Sequence, residues 1–515
     1  MAERRRRRTA YENEGKTPVV KQENENSKGL SMGTIGIIIS AVMLVTMIVF
    51  DVLLAKVKIL ETKHLVLIII GLLLLIGIYC LVLIFSKKKS RFIVAAATLG
   101  VIFIALIYGI SVCSKFLSTI DNITDNTKEL VNISVYVKTE DTAKEFSDIK
   151  GDRFGILKTL DRESTDKTIE KINKEIKGTI NVSEYDGIIE LIEALLNDEV
   201  RSIIVNPEYL DIAYDLDQYE GLKDSIRELS NYSIETDTKE NSGKTEPVDT
   251  NREVITLYIS GIDSRDGLVA KSRSDVNIIA TINLKTRQVS LVSTPRDYFV
   301  PLSISGGKRD KLTHAGIYGV NVSVETLEML YGIDIDYYFR VNFTGFERIV
   351  DSLGGVEVYS AYAFTSHHHR FKFTKGYNKV NGAQALDFAR ERYAFKTGDV
   401  QRGKNQMELI KAILKKAMSK EILTKYGQVL DSLKGAFETS LPYELIAEIA
   451  KGQVYNQGGW NIVSYTVTGT GAHDKPYSLS TNAYVMIPNM DTVAKAQEMM
   501  RQCRDGETLT DPNAE

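Results

Sequence analysis

Residues 273–297 read RSDVNIIATINLKTRQVSLVSTPRD, and the order of residue types within them decides the fold class. The apolar run 289–292 leads into TPRD, with Arg296 and Asp297. Upstream, the apolar run 254–259 leads in the same way into GIDSR, with Asp263 and Arg265. Short apolar runs ending in charged residues are strand-like text, and open α/β sheets bind their ligands just past the ends of buried strands. An α/β fold with a ligand site at its strand ends accounts for both clusters.

Working outward, the same pairing of arginine with carboxylate recurs. Arg273 and Asp275 open the stretch itself, and ARER (Arg390, Arg392) and GDVQRGKNQ (Asp399, Arg402, Gln406) follow it. A guanidinium stays charged and offers a fork of donors that matches phosphate oxygens, while carboxylate oxygens suit a hard cation such as magnesium. Arginine with aspartate therefore reads as a pyrophosphate and metal site. Surface ion pairs are the competing reading, because 25% of the chain is charged and exposed pairs are common. Recurrence at strand ends favours the site. Phosphoryl transfer needs positioning and charge neutralisation more than an elaborate nucleophile, so several fixed cations suffice. A sugar hydroxyl as acceptor must lose a proton, and Asp275 and Asp297 are both candidates to receive it.

Within ALDFARER, Arg390 and Arg392 are two apart and cannot share one helix face, so they belong at a helix exit where the chain extends. Met407, Ile410, Ile413, Leu414 and Ala417 recur at helical spacing and predict a largely buried helix over 404–418, with Gln406 at its start.

In wording and order these clusters resemble the LytR-CpsA-Psr family of cell-envelope phosphotransferases over roughly the C-terminal half of the chain. The resemblance runs through GIDSR, RSDVNIIATIN, VSLVSTPRD, DKLTHA (310–315), FTGFERIVDSLGGVEV, VNGAQALDFARER and GDVQRGKNQ. It implies an enzyme that moves the phosphoglycosyl end of a polyprenyl-pyrophosphate-linked glycopolymer onto peptidoglycan and releases the lipid phosphate. It further implies magnesium and an apolar pocket for the lipid tail. Carried over motif by motif, Asp263 and Asp275, with Asp399 nearby, would hold the metal. Arg265, Arg273, Arg296, Lys311, Arg390, Arg392, Arg402 and Gln406 would grip the pyrophosphate, and Arg273, Asp275, Arg296 and Asp297 would carry catalysis. Many members have arginine just before the glutamine, where this chain has Asn405.

Three apolar stretches, 33–50, 65–85 and 92–113, are each long enough, or nearly so, to cross a bilayer core of roughly 30 Å. Arg4 to Arg8 and the KKKSR loop at 87–91 place the amino terminus and the second loop on the cytoplasmic side, so an odd number of spans sends the remainder outside. A long polar amino terminus without a small-residue cleavage pattern argues against a removed signal peptide. Five adjacent arginines before a span are a topology determinant, and a net charge of −3 offers no basic domain for nucleic acid.

Between spans and catalytic text, residues 132–232 alternate strand-like 134–137, helix-spaced Ile169, Ile172 and Ile176, helix-spaced Ile188 to Leu195, and strand-like SIIV at 202. This predicts a small α/β accessory module for docking, spacing or polymer contact. Polar residues 233–253 read as a linker, and 1–31 and 505–515 as disordered tails. The three cysteines form no disulfide framework, and no histidine stands in a recognisable nucleophile motif. HHH at 367–369 is expected in a solvated loop, and His314 as a packing residue. The predicted architecture is a cytoplasmic tail, three transmembrane helices at 32–115, the accessory domain, the linker, and an α-β-α catalytic domain over 254–504 with a mixed central sheet. Three spans with an accessory module resemble the capsule-type members, which favours capsular polysaccharide over a teichoic-acid-like polymer and brings polysaccharide synthesis proteins in as partners. Two other functions remain open: a polyprenyl-pyrophosphate hydrolase, and a noncatalytic scaffold that binds lipid phosphate.

Overall fold

The structure is a computed structural model that describes residues 31–510 apart from 59, 125–127, 215, 220, 238–251, 263–270, 418, 420–435, 443–444, 447–448, 450–458 and 480. The expected tails at 1–30 and 511–515 therefore lie outside the described residues, as do Asp263 and Arg265.

Helices Met32–Lys56, Thr62–Phe85 and Lys89–Thr124 contain the three predicted spans, and each is long and apolar enough to cross a membrane. Their large apolar side chains face outward far more often than inward. Leu67, Val101 and Ile104 are about 70% exposed, which a lipid-facing helix tolerates and a water-facing one does not.

The accessory module is a five-stranded sheet in the order Asn181–Tyr185, Arg153–Leu157, Ser202–Val205, Lys128–Lys138, Ile226–Asp237. The first three strands are parallel, joined through helices Arg162–Ile176 and Ile188–Leu196, as βαβ crossovers require. The last strand runs to Asp237, opposite Lys128. Residues 233–237, expected to be linker, are thus strand. Their polarity misleads because this is an edge strand.

The catalytic domain is built on a six-stranded mixed sheet in the order Phe437–Thr439, Tyr337–Asn342, Val254–Ile262, Ser274–Asn283, Gln288–Ser293, Asn461–Thr466. Residues 273–297 supply its centre: Ser274–Asn283 pairs antiparallel with Val254–Ile262 on one side and Gln288–Ser293 on the other. Period-two alternation sends Tyr258, Ile279 and Val292 to one face, where helices Val320–Tyr331 and Met490–Asp505 close a core around them. Leu257, Ile259, Ile278 and Ala280 face the other side, under helices Phe343–Ser352, Gly382–Arg390 and Asp399–Ala417. Helices on both faces of a mixed sheet are the predicted α-β-α arrangement.

Two boundaries differ from expectation. The chain beyond Asp505 is ordered to residue 510: Leu509 is buried, and its backbone N–H donates to Gln288 Oε1 at 2.7 Å. The helix expected from 404 begins at Asp399, because its first turn carries polar site residues and no apolar signal.

Candidate active site

Asp275 shows how the site is made. Gly261 pairs with Val276, but Ile262 pairs with Ser274, so Asp275 is the extra residue of a β-bulge. A bulge breaks the two-residue alternation and re-aims a side chain, here placing Asp275 beside Val276 in the lining of a cavity. The bulge is braced from below by hydroxyls. Tyr258 Oη lies 2.8 Å from Ser274 Oγ and donates to Asn277 Oδ1 at 2.7 Å, and Ser260 Oγ lies 2.6 Å from Ser274 Oγ.

The cavity holds about 870 Å3 between the sheet and its three covering helices. Part of its lining is apolar, with Leu257, Ile259 and Val276 from the sheet and Phe339, Val341, Phe346, Ile349, Ile413 and Leu414 beside them. Another part is cationic. Arg273, Arg296, Lys311, Arg390, Arg392 and Arg402 line it together with Asp275, Asp297 and Gln406. Nine of the site residues expected from sequence are therefore brought together. For Asp399 the helix start is placed next to this cationic part in sequence, one turn before Arg402, but its side chain lies outside what is described.

Each cation is held for a local reason. Arg296 donates from Nη1 to Asp275 Oδ1 at 2.7 Å, and Asp297 Oδ1 lies 3.8 Å from Arg296 Nε and 3.6 Å from Lys311 Nζ. Arg390 ends its helix, and Glu391 then adopts an extended conformation. Glu391 turns inward and is buried, accepting the backbone N–H groups of His367 at 2.5 Å and Ala394 at 2.9 Å, while Arg390 and Arg392 both reach the cavity. The helix exit expected from their spacing is what allows both to face the same way. Arg390 also stacks over the Phe343 ring at 4.2 Å, and Arg392 donates to Tyr393 Oη at 2.8 Å. Arg402 and Gln406 sit one turn apart on the Asp399–Ala417 helix. That helix approaches the sheet closely at Gly403, where a Cβ would come within 3.1 Å of Ser293 and Thr466.

Burial alone raises the pKa of Asp275, but Arg296, Arg402, Arg273 and Arg390 more than offset it and hold the carboxyl below its ordinary value of 3.8. A carboxylate kept ionised among cations is a weak base. Of the carboxylates expected to hold magnesium, Asp275 is described, whereas Asp263 and the Asp399 side chain lie outside the described residues. Among the described residues no three His, Cys, Asp or Glu side chains cluster as a metal cage.

The histidine run lies in an exposed loop, as expected, and His367 and His368 also line the cavity. His369 is instead tied to Asp387, with Nδ1 2.8 Å from Oδ1. Burial and Arg390 hold the His368 imidazole below its ordinary value of 6.5, so it is neutral at pH 7. Lys223, Tyr393 and Tyr484 also line the cavity and carried no signal in the sequence. Asn405 points elsewhere: it is buried and donates to the Phe388 carbonyl at 3.3 Å. His314 packs in the core, its Nδ1 2.7 Å from Asp310 Oδ1 and 2.9 Å from Ser478 Oγ. Aspartate and serine share one imidazole nitrogen there, so the trio is not a nucleophile–base–orienter relay.

Residues 225–502 match the LytR_cpsA_psr family. Among similar curated proteins is the polyisoprenyl-teichoic acid–peptidoglycan teichoic acid transferase TagU of Bacillus licheniformis, 32% identical over 222 residues, which span 43% of this chain and 70% of the relative. TagU of Bacillus subtilis is 31% identical over 248 residues, 48% of this chain and 76% of the relative. Among solved structures, that of B. subtilis TagV aligns with 25% identity and a TM-score of 0.42, covering 50% of this chain and 98% of TagV.

Proposed function

We infer that this chain, which belongs to the LytR-CpsA-Psr family, is a membrane-anchored phosphotransferase that moves a polyprenyl-pyrophosphate-linked glycopolymer onto peptidoglycan and releases polyprenyl phosphate. The observation that carries the reading is one cavity with two chemistries. An apolar wall of phenylalanine, leucine, isoleucine and valine suits an isoprenoid tail, and a cationic part of five arginines and two lysines suits the pyrophosphate attached to it. The named activity of the TagU relatives supports the donor and acceptor classes.

In this reading the arginines neutralise the pyrophosphate and the charge that develops on the departing lipid phosphate, while the apolar wall fixes the donor and excludes water. Magnesium, held by Asp275 and Asp263, would add charge neutralisation at the same oxygens. Asp297, beside Lys311 and Arg296, and the neutral His368 in the cavity lining are both placed to take the acceptor hydroxyl proton. The positive-inside pattern puts the catalytic domain outside the cell. A capsular polymer is the donor favoured by the three spans and accessory module, and a teichoic acid the one favoured by the named relatives.

The test is a transfer assay on the full chain in lipid nanodiscs with magnesium, either donor class and peptidoglycan oligomers, read by product mass against Arg296→Ala. Acceptor-linked polymer from wild type alone supports transfer. Hydrolysis whether or not acceptor is present indicates a pyrophosphatase, and tight lipid binding with no turnover a scaffold.

A further inference from the structure

Three consecutive residues immediately before the Ser274–Asn283 strand each meet a carboxylate of the accessory module. Lys271 pairs with Asp161, Ser272 Oγ donates to Glu208 Oε2 at 2.9 Å, and Arg273 Nη2 lies 3.2 Å from Asp211 Oδ2. Glu208 and Asp211 are one turn apart on helix Pro207–Tyr214, so one face of that helix addresses the whole segment. From the catalytic side the segment is pressed by Gly316, where a Cβ would come within 2.5 Å of the Ser272 carbonyl oxygen. Two residues beyond Arg273 stands Asp275. The module also reaches the cavity directly: Lys223, on its short Leu222–Ser225 turn, is part of the lining and lies 4.6 Å from the centre of the Tyr214 ring.

We propose that the accessory module is part of the pyrophosphate site, with Asp211 as the positioning residue that aims Arg273 and Lys223 as an added anion-binding residue. The proposal deepens the functional reading above and rests on it. Arg273 is buried, with 9% of its side chain exposed, whereas Asp211 is 26% exposed, so the carboxylate approaches the guanidinium from the solvent side while the arginine also lines the cavity. A guanidinium has five donors, so a contact through Nη2 to Asp211 is compatible with the same side chain lining the cavity. Lys223 is exposed and lines the same cavity as Arg273. The module's position at the site also gives it a role that a spacer lacks: loosening the latch lowers donor affinity without unfolding either domain.

The sign of one substitution separates positioning from simple electrostatics. Removing the Asp211 carboxylate makes the site more positive, so charge alone predicts tighter anion binding. Positioning predicts weaker binding. The experiment measures the affinity of the full chain in nanodiscs for undecaprenyl pyrophosphate by titration calorimetry. We expect Asp211→Asn to weaken binding about tenfold, as when one partner of a hydrogen-bonded charge pair is removed. Asp211→Glu is expected to restore most of the affinity. The double variant Asp211→Asn with Arg273→Ala should bind no worse than Arg273→Ala alone, because residues acting through one another are non-additive. Lys223→Gln is expected to cost about threefold and to flatten the salt dependence, as loss of a partly exposed charge does. Thermal melts on each variant show that the fold is retained. Tighter or unchanged binding by Asp211→Asn, or additive losses in the double variant, overturns the proposal while leaving the functional reading intact if Arg296→Ala still abolishes binding. Failure of the wild type to bind the probe at all sinks both.

Discussion

The two faces of the six-stranded sheet start from similar residues and end differently. On one, Tyr258, Ile279 and Val292 are sealed under Val320–Tyr331 and Met490–Asp505, with Leu327, Val493 and Ala496 showing no exposure. On the other, Leu257, Ile259 and Val276 remain partly open where the covering helices leave a cavity, although the Asp399–Ala417 helix packs closely at Gly403 and Met407. Native cores close-pack, so an unfilled apolar face costs stability that its function must justify. The closed face holds the fold and the open face holds the ligand. Strand ends deliver Arg273 and Arg296 to the open face, a helix exit delivers Arg390 and Arg392, and the first turn of the Asp399–Ala417 helix delivers Arg402.

The comparison is sharpest where activity and stability separate. Arg296→Ala is expected to cut transfer about a thousandfold, the upper cost of losing one preorganised charge contact, while the melting temperature stays within a few degrees. A variant that melts early would put Arg296 in the scaffold instead. On the closed face Leu327→Ala should destabilise by about 3 kcal/mol, within the usual range of about 2–5 for a buried leucine, and leave donor affinity at the remaining folded fraction unchanged. Ile413→Ala, on the cavity wall, should cost only about 1 kcal/mol, since it enlarges a space that exists already rather than opening a new one. Its lipid affinity should nevertheless fall. Equal stability losses at Leu327 and Ile413, measured by denaturant titration, would erase the distinction between the faces.

A smaller effect concerns pH. Because the folded-state pKa of Asp275 is depressed, its contribution is fully present above the ordinary carboxylate value of 3.8 and is lost only as pH falls through the lower folded value. Stability and pyrophosphate binding should therefore be insensitive to Asp275 from neutral pH down to about 5. In Arg296→Ala the cation paired with Asp275 is gone, and the acid limb should move to higher pH. An acid limb that does not move would show that Arg296 does not set the charge state of Asp275.

Much of this was legible in residues 273–297, where apolar runs that stop at charged residues announce strands and the site beyond them. Arg390 with Arg392 was legible for a related reason, since a two-residue spacing forces a helix exit. What stayed hidden depends on partners far away in sequence. Asp161, Glu208 and Asp211 look like ordinary surface carboxylates until the fold sets them against Lys271, Ser272 and Arg273. His367 and His368 are exposed, as their polar text suggests, but their place beside the cavity, where Glu391 accepts the His367 N–H, depends on a residue distant in sequence. The edge strand through Asp237 and the chain to residue 510 were missed because segments packed on one side, or by a single leucine, have the composition of linkers.

The central claim is that one molecule occupies both parts of the cavity, tail against the apolar wall and pyrophosphate among the cations. A polyprenyl pyrophosphate carrying a diazirine near the tail end, cross-linked to the full chain and mapped by peptide mass, tests it most directly. The account predicts labels on Phe346, Ile349, Ile413 and Leu414, reduced in Arg296→Ala. Labels confined to the three membrane helices, or undiminished by loss of the arginine, would contradict it.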